Sequence, residues 1–184
     1  MKRVPALLLL FLCASGLAAQ VPISRNPQVT LSLNPQVTLS INPDVNLDIN
    51  PHVTLDLNPQ VTLSINPSVT LSLNPKVNLA INPQVTVGLN PKVTLSLNPR
   101  LNKWKGYYLF SKKVEWIGFL SVINAGFILL FSPDAEWTGY FLSNGHGGFN
   151  WFGLDGAWSG YLISNSNGGW NLFTTDSKWI AFTT

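Results

Sequence analysis

The dipeptide Asn-Pro recurs every eight residues, at Asn26, Asn34, Asn42, Asn50, Asn58, Asn66, Asn74, Asn82, Asn90 and Asn98, without a slip in register. Proline removes a ladder donor and pushes the residue before it into an extended conformation, so no helix or strand passes through these points unbroken. Between successive copies stand five residues, typically Val-Thr-Leu-Ser-Leu as in Val29 to Leu33, with aliphatic side chains at alternate positions. Alternation is strand periodicity, and Val, Leu, Ile and Thr suit a strand. Each octad across residues 20–102 therefore reads as one short strand plus a corner.

One octad cannot fold alone. Burying three aliphatic side chains gains roughly 1.5–3 kcal/mol each, whereas ordering eight residues costs about 1.5 kcal/mol apiece. Stacked copies satisfy one another, which is the logic of a solenoid. The expected arrangement is a β-solenoid of NPxVTLSL octapeptides, resembling an RTX-type β-roll built with a different repeat. Val and Leu would lie inside, Thr and Ser outside, and Asn would stack in ladders along the axis. The alternative is an antiparallel meander or small barrel.

Outward Thr and Ser rows resemble the ice-binding faces of antifreeze solenoids, but Asn46, Asp48, Asp56, Asn78, Ala80 and Gly88 interrupt them, which leaves ice binding a minor reading. A calcium roll needs carboxylates in every turn, and this array offers only Asp44, Asp48 and Asp56.

The chain begins with Lys2 and Arg3, the apolar run Val4 to Leu12, and the small residues Ala14, Ser15, Gly16, Ala18 and Ala19. These are the three regions of a secretory signal peptide over residues 1–19, too short to span a bilayer. The expected location is exported: periplasmic, cell-surface or extracellular. Cys13, the sole cysteine, lies in that signal, with Leu12 where a lipoprotein signal would carry a small residue. The exported chain then has neither disulfide nor lipid anchor. Loss of Lys2 and Arg3 leaves nine basic against eight acidic side chains. Only Lys103, Lys105, Lys112 and Lys113 cluster, so nucleic acid is not an expected partner, and no later stretch is long enough for a transmembrane segment.

Past Asn98 the octad fails. All seven Trp, and every Phe but Phe11, lie in residues 103–184. Trp116, Trp137, Trp158 and Trp179 are spaced by 21, as are Phe110, Phe131, Phe152 and Phe173. Each unit pairs a strand ending in Phe with one opening in Trp, across turns such as Ser132-Pro133-Asp134 and Leu154-Asp155-Gly156. Four β-hairpins with a pseudo-four-fold arrangement are expected. The repeated phrase, Leu-Phe to Asp-Gly to Trp-x-Gly-Tyr, resembles the four-fold β-flower domain of bacterial proteins over about residues 107–184. Lys113 stands in place of the turn Asp in unit one and Ala181 in place of the Gly in unit four. The resemblance implies a fold and no activity. Trp-rich cell-wall-binding repeats share the aromatic spacing.

No phosphate loop, cysteine pair, histidine pair at metal spacing or nucleophile–base constellation stands out, so neither catalysis nor a cofactor or metal is expected. His52 and His146 read as exposed, and Asp134, Asp155 and Asp176 as turn formers. The four periodic Trp read as core. Trp104, Trp151 and Trp170, which break the repeat, and His146 in its Gly-rich loop are the candidate ligand-binding residues. The reading is an exported non-catalytic structural or binding protein, in which a repeat rod presents an aromatic β module to a surface glycan or envelope component. The alternative is self-assembly through solenoid ends, since an uncapped solenoid leaves an open edge.

Overall fold

The computed structural model describes residues 21–184. The expected signal peptide, residues 1–19 with Cys13, lies outside the described residues. Among the described residues all strands fall in the aromatic half: β1 (Gly106–Ser111), β2 (Trp116–Asn124), β3 (Phe127–Phe131), β4 (Trp137–Ser143), β5 (Phe149–Gly153), β6 (Trp158–Ser164), β7 (Trp170–Thr174) and β8 (Trp179–Thr183). Each pairs antiparallel with the next, and β8 returns to β1, so the four hairpins close into an eight-stranded barrel. Closure leaves no open sheet edge.

The 21-residue period has a structural cause at each step. Residues 114, 135, 156 and 177 occupy the same place in the four hairpin turns, and all have positive φ, from 58° at Ala135 to 72° at Gly156. This is a tight turn closed by a left-handed residue, and the register slips beside it, as between Leu109 and Phe110. Each periodic Trp donates its indole N–H to the carbonyl two residues on: Gly118, Gly139, Gly160 and Ala181. At Gly118, Gly139 and Gly160 the next strand crosses close by. A Cβ there would stand 2.4, 2.7 and 2.1 Å from the carbonyl oxygens of Phe131, Phe152 and Phe173.

Inside the barrel the side chains form layers of four-fold equivalents. Tyr107, Ile128, Phe149 and Trp170 make one, and Leu109, Leu130, Trp151 and Leu172 another; Leu120, Phe141 and Leu162 join them. Eight strands enclose only enough room for side chains. The opposite face of the same strands is just as apolar and just as buried: Phe119, Phe131, Tyr140, Phe152, Tyr161, Phe173 and Phe182 are almost wholly shielded from solvent. Something outside the barrel covers them, and it is the octad array.

The octads contain no strand, which corrects the expected strand-plus-corner reading and with it the strand-built β-solenoid and the meander. Each is a pair of tight turns. In the octad from Asn34, the amides of Val37 and Thr38 both bond to Asn34 O, and those of Ile41 and Asn42 bond to Thr38 O and Leu39 O. The last three residues of each octad thus form a 3-10 turn, as at Leu39–Ile41 and Leu63–Ile65. Asn34 Oδ1 also accepts from Gln36 N at 2.9 Å. Local bonds of this kind compete with ladder formation, and proline has already removed one donor. Thr38, Thr54, Thr62 and Thr70 donate Oγ1 to carbonyls seven residues back at 2.8 Å, so consecutive octads wind against one another in a continuous coiled ribbon.

The ribbon circles the barrel. Gln28, His52, Lys76 and Arg100 are 24 residues apart, and they meet the turns of the first, fourth, third and second hairpins in that order. Gln28 Nε2 donates to Val114 O at 3.0 Å, His52 lies within electrostatic reach of Asp176, Lys76 lies against Gly156, and Arg100 bonds Asp134 O and Glu136. The same step recurs deeper. Asn171 and Asn150 donate Nδ2 to Ile41 O and Ile65 O at 3.2 and 2.9 Å, and Gln36 and Gln60 donate to Lys112 O and Thr175 O at 2.7 and 2.8 Å. Three octads therefore match one hairpin.

One such joint is incomplete. Tyr161 OH donates to Ser177 Oγ at 2.7 Å, which donates on to Asn58 Oδ1 of the ribbon at 3.2 Å. One hairpin earlier Gly156 stands where Ser177 would, and the buried Tyr140 hydroxyl has no protein partner among the described residues. Removing a satisfied hydroxyl costs stability, whereas removing an unsatisfied one does not. Tyr161→Phe is therefore expected to lower unfolding stability by about 1–2 kcal/mol and Tyr140→Phe to leave it equal or higher, read from urea midpoints. Equal losses in both would contradict this assignment. Burial holds both phenols well above the usual tyrosine range. The unfolded chain releases those protons from about pH 10, so their contribution is intact below that pH and lost above it. From its lower starting stability, the double Phe variant should lose less than wild type as the pH is raised past about 10, read as the change in urea midpoint.

Candidate binding surface

The winding decides which octad residues meet solvent. The prolines from Pro27 to Pro91 are buried, and the third aliphatic of each octad faces the barrel: Ile49 and Leu57 join Phe110, Tyr161 and Phe173, while Ile81, Leu89 and Leu97 join Phe119, Phe131 and Phe152. The first two aliphatics face away. From Val29 to Leu95, eighteen Val and Leu side chains are each 48–59% exposed, in two parallel rows that follow the ribbon round the barrel. The expectation of Val and Leu inside with Thr outside is thus corrected. The Thr hydroxyls are turned to the backbone, and two of the three aliphatics in each octad face water.

Such a band is unusual. At about half exposure these side chains present on the order of 1,500 Å² of apolar surface, where the largest patch of a typical monomer is roughly 300–600 Å². Hydrophilic rows flank it. On the side of the hairpin turns run the residues after Pro, among them Gln28, Asp44, His52, Lys76, Lys92 and Arg100; on the side of the interhairpin loops runs the Ser row, in which Asp48 and Asp56 are the acidic members, and all are exposed. An apolar centre between polar rims is the anatomy of a contact surface.

Between the ribbon and the interhairpin loops lie crevices related by the same step. One, of about 160 Å³, is lined by Arg25, Leu33, Ile41, Asn165 and Asn167. Its counterpart, about 180 Å³, is lined by Ile49, Leu57, Ile65, Asn144 and His146, with Asp48 and Asp56 at its side. In the first, Asn167 Nδ2 bonds Ser32 O at 3.3 Å and ties the loop to the ribbon; in the second His146 takes the place of Asn167. A third crevice, about 260 Å³, forms where the octads give way to the barrel, lined by Ser96, Asn98, Lys103, Trp104 and Lys105. Among the described residues no three His, Cys, Asp or Glu side chains converge as a metal site, and no helix is long and apolar enough to cross a membrane.

The four candidate residues are not brought together. Trp151 and Trp170 point into the barrel, packed near Phe141 and edge-on to Phe149, and both indole nitrogens are buried without a protein partner among the described residues. Both rings are half-buried against the core of the barrel and do not form an open binding face. Trp104 is half-buried, stacked on Phe119 at 4.8 Å, and lines the third crevice. His146 is exposed; its backbone amide bonds Asn144 Oδ1 and its ring Nδ1 lies 3.1 Å from Asn144 O. What sequence reasoning missed is the apolar band itself. A signal existed: the third aliphatic varies between Leu and Ile from octad to octad, as a residue fitted to differing neighbours does, while the second is Leu in every octad but one.

Ile65, 1% exposed, and Leu63, half exposed, separate the two faces. Ile65→Ala should cost about 2–4 kcal/mol and Leu63→Ala less than about 0.5 kcal/mol in urea unfolding; the reverse order would mean the ribbon is turned inside out. Comparison with protein-family models, curated proteins and solved structures finds no match to this chain.

Proposed function

We propose that this is an exported, non-catalytic structural or binding protein whose working surface is the aliphatic band of the octad ribbon. The observation that carries the reading is the pair of continuous Val and Leu rows, held outward on a ribbon whose inner face is fixed to a closed barrel. A chain that only needed a cover for its aromatic barrel would place polar residues there, because half-exposed aliphatics add little to folding. Rows maintained over nine octads serve contact with another apolar surface, an envelope component or a protein.

Lysine substituted in the band, as Leu39→Lys with Leu63→Lys, should strongly reduce retention on a hydrophobic resin and binding of an apolar dye, with circular dichroism unchanged. Lysine in the rim, as Ser40→Lys with Ser64→Lys, should leave both nearly as they are. Equal behaviour of the two pairs would remove the band from the function.

A second reading rests on the Trp104 crevice, where a partly exposed indole edge, two Lys and polar Ser96, Asn98 and Asn102 converge. Such a crevice suits a surface glycan, since aromatic faces stack on sugar rings and amides bond hydroxyls. A glycan array in which wild type binds and Trp104→Ala does not would support it; an array empty for both would end it.

A further inference from the structure

The band also carries information about what covers it. We infer that its occupant is a second copy of this chain, packed side by side so that the octads 42–57 of one copy meet the octads 74–97 of the next. This rests on the reading of the band as the working surface and adds the partner and the docking arcs.

Three observations lead there. The first is area: the four outward Val and Leu of octads 42–57 and the six of octads 74–97 present on the order of 300 and 500 Å² of apolar surface. This is a contact of the small, weakly associating class, which the polar rims enlarge toward the roughly 800 Å² that a stable interface buries on each partner. The second is pitch. Val and Leu recur at the same eight-residue step along the whole ribbon, with the less exposed Thr row between them. The ridges of one ribbon therefore find a matching groove on another ribbon of the same repeat. The third is charge. Acidic rim residues are confined to the first arc, as Asp44, Asp48 and Asp56, and the basic Lys76, Lys92 and Arg100 to the later part of the ribbon. Asp44 is paired with Lys112 and Arg100 with Glu136. Asp48 and Asp56, on the loop-side rim, and Lys76 and Lys92, on the turn-side rim, make no salt bridge among the described residues and are exposed. They oppose one another when the neighbouring copy is inverted, its hairpin turns beside the first copy's interhairpin loops.

An acidic arc does not complement itself, and because the ribbon takes 24 residues to pass one hairpin of the four the acidic and basic arcs face different sides of the barrel. The contact is therefore heterologous: each copy offers its acidic arc to one neighbour and its basic arc to another, and association continues until the geometry closes it. An anionic lipid surface is the poorer fit, because the basic groups occupy only one part of the rim and the acidic arc would be repelled.

Two variants test the inference on the chain purified after export. Leu47→Gln with Leu55→Gln damages only the acidic arc, and Leu79→Gln with Val87→Gln only the basic one. All four residues are about half exposed, so circular dichroism should match wild type. In sedimentation velocity wild type should form species larger than a dimer as concentration rises from micromolar upward, and each variant alone should remain monomeric. An equimolar mixture of the two should stop at a dimer, because each retains the arc that the other lacks. A wild type that stays monomeric overturns the inference, as does a mixture that stays monomeric. If monomeric wild type is instead taken up by phosphatidylcholine vesicles and the Leu39→Lys, Leu63→Lys variant is not, the working surface stands and its occupant is lipid. If neither vesicles nor the dye distinguish that variant, the proposed function fails as well.

Discussion

The structure depends on the burial of one aromatic surface. The strands of the barrel are apolar on both faces, so the outer layer of Phe, Tyr and Trp would stand in water if the barrel were alone. Each fully buried aromatic or large aliphatic contributes roughly 1.5–3 kcal/mol. With Phe119, Phe131, Tyr140, Phe152, Tyr161, Phe173 and Phe182 all shielded, the cover is as necessary to the barrel as the closing β1–β8 pair. The ribbon needs the barrel equally, since its turns are local, its third aliphatics have no other partner, and side chains such as Asn150 and Asn171 reach out of the sheet to bond its carbonyls. The two repeats form one hydrophobic unit.

What makes the union regular is a numerical match. Twenty-four residues of ribbon advance as far round the barrel as one 21-residue hairpin, so that contacts recur: Gln36 with Gln60, Ile41 with Ile65, the crevice at Asn165 with the crevice at Asn144. A repeat that fits at every third octad is free to vary in the others only where they face water. The departures follow this rule. Asp48, Asp56, Ala80 and Gly88 fall in the outward Ser row; Asn46 and Asn78 replace Thr but keep a bond to the preceding octad, at Ser40 O and Ser72 O; and Trp151, whose equivalents are Leu109, Leu130 and Leu172, packs inside the barrel.

Several features were legible in the sequence. The four hairpins, their turn residues and the equivalence of the four periodic Trp follow from spacing and turn chemistry, because hairpin formation is governed by residues a few positions apart. The octads were misread for a physical reason. Alternating aliphatics are compatible with a strand, but alternation counts side chains and not backbone donors. Asn34 Oδ1 and Thr38 Oγ1 each bond a backbone group that a strand would need for its ladder, and with proline they hold the chain in turns. The candidate residues fared according to context: Trp104 and His146 line separate crevices, while Trp151 and Trp170 pack against the core of the barrel, Trp151 beside Gly139, where a Cβ would stand 3.1 Å from its indole nitrogen.

By itself the sequence determined the periods, the break points and the demand that each repeat be buried by another, since those are properties of neighbouring residues. Only the tertiary structure decided which side of the octad is the inside. The Val, first Leu and last Leu of an octad are chemically alike, and nothing local distinguishes the one that touches Phe152 from the two that face water. That choice depends on a barrel that meets the ribbon across 85 to 130 residues of chain, as where Asn150 and Asn171 bond Ile65 O and Ile41 O, and it puts the apolar rows on the outside.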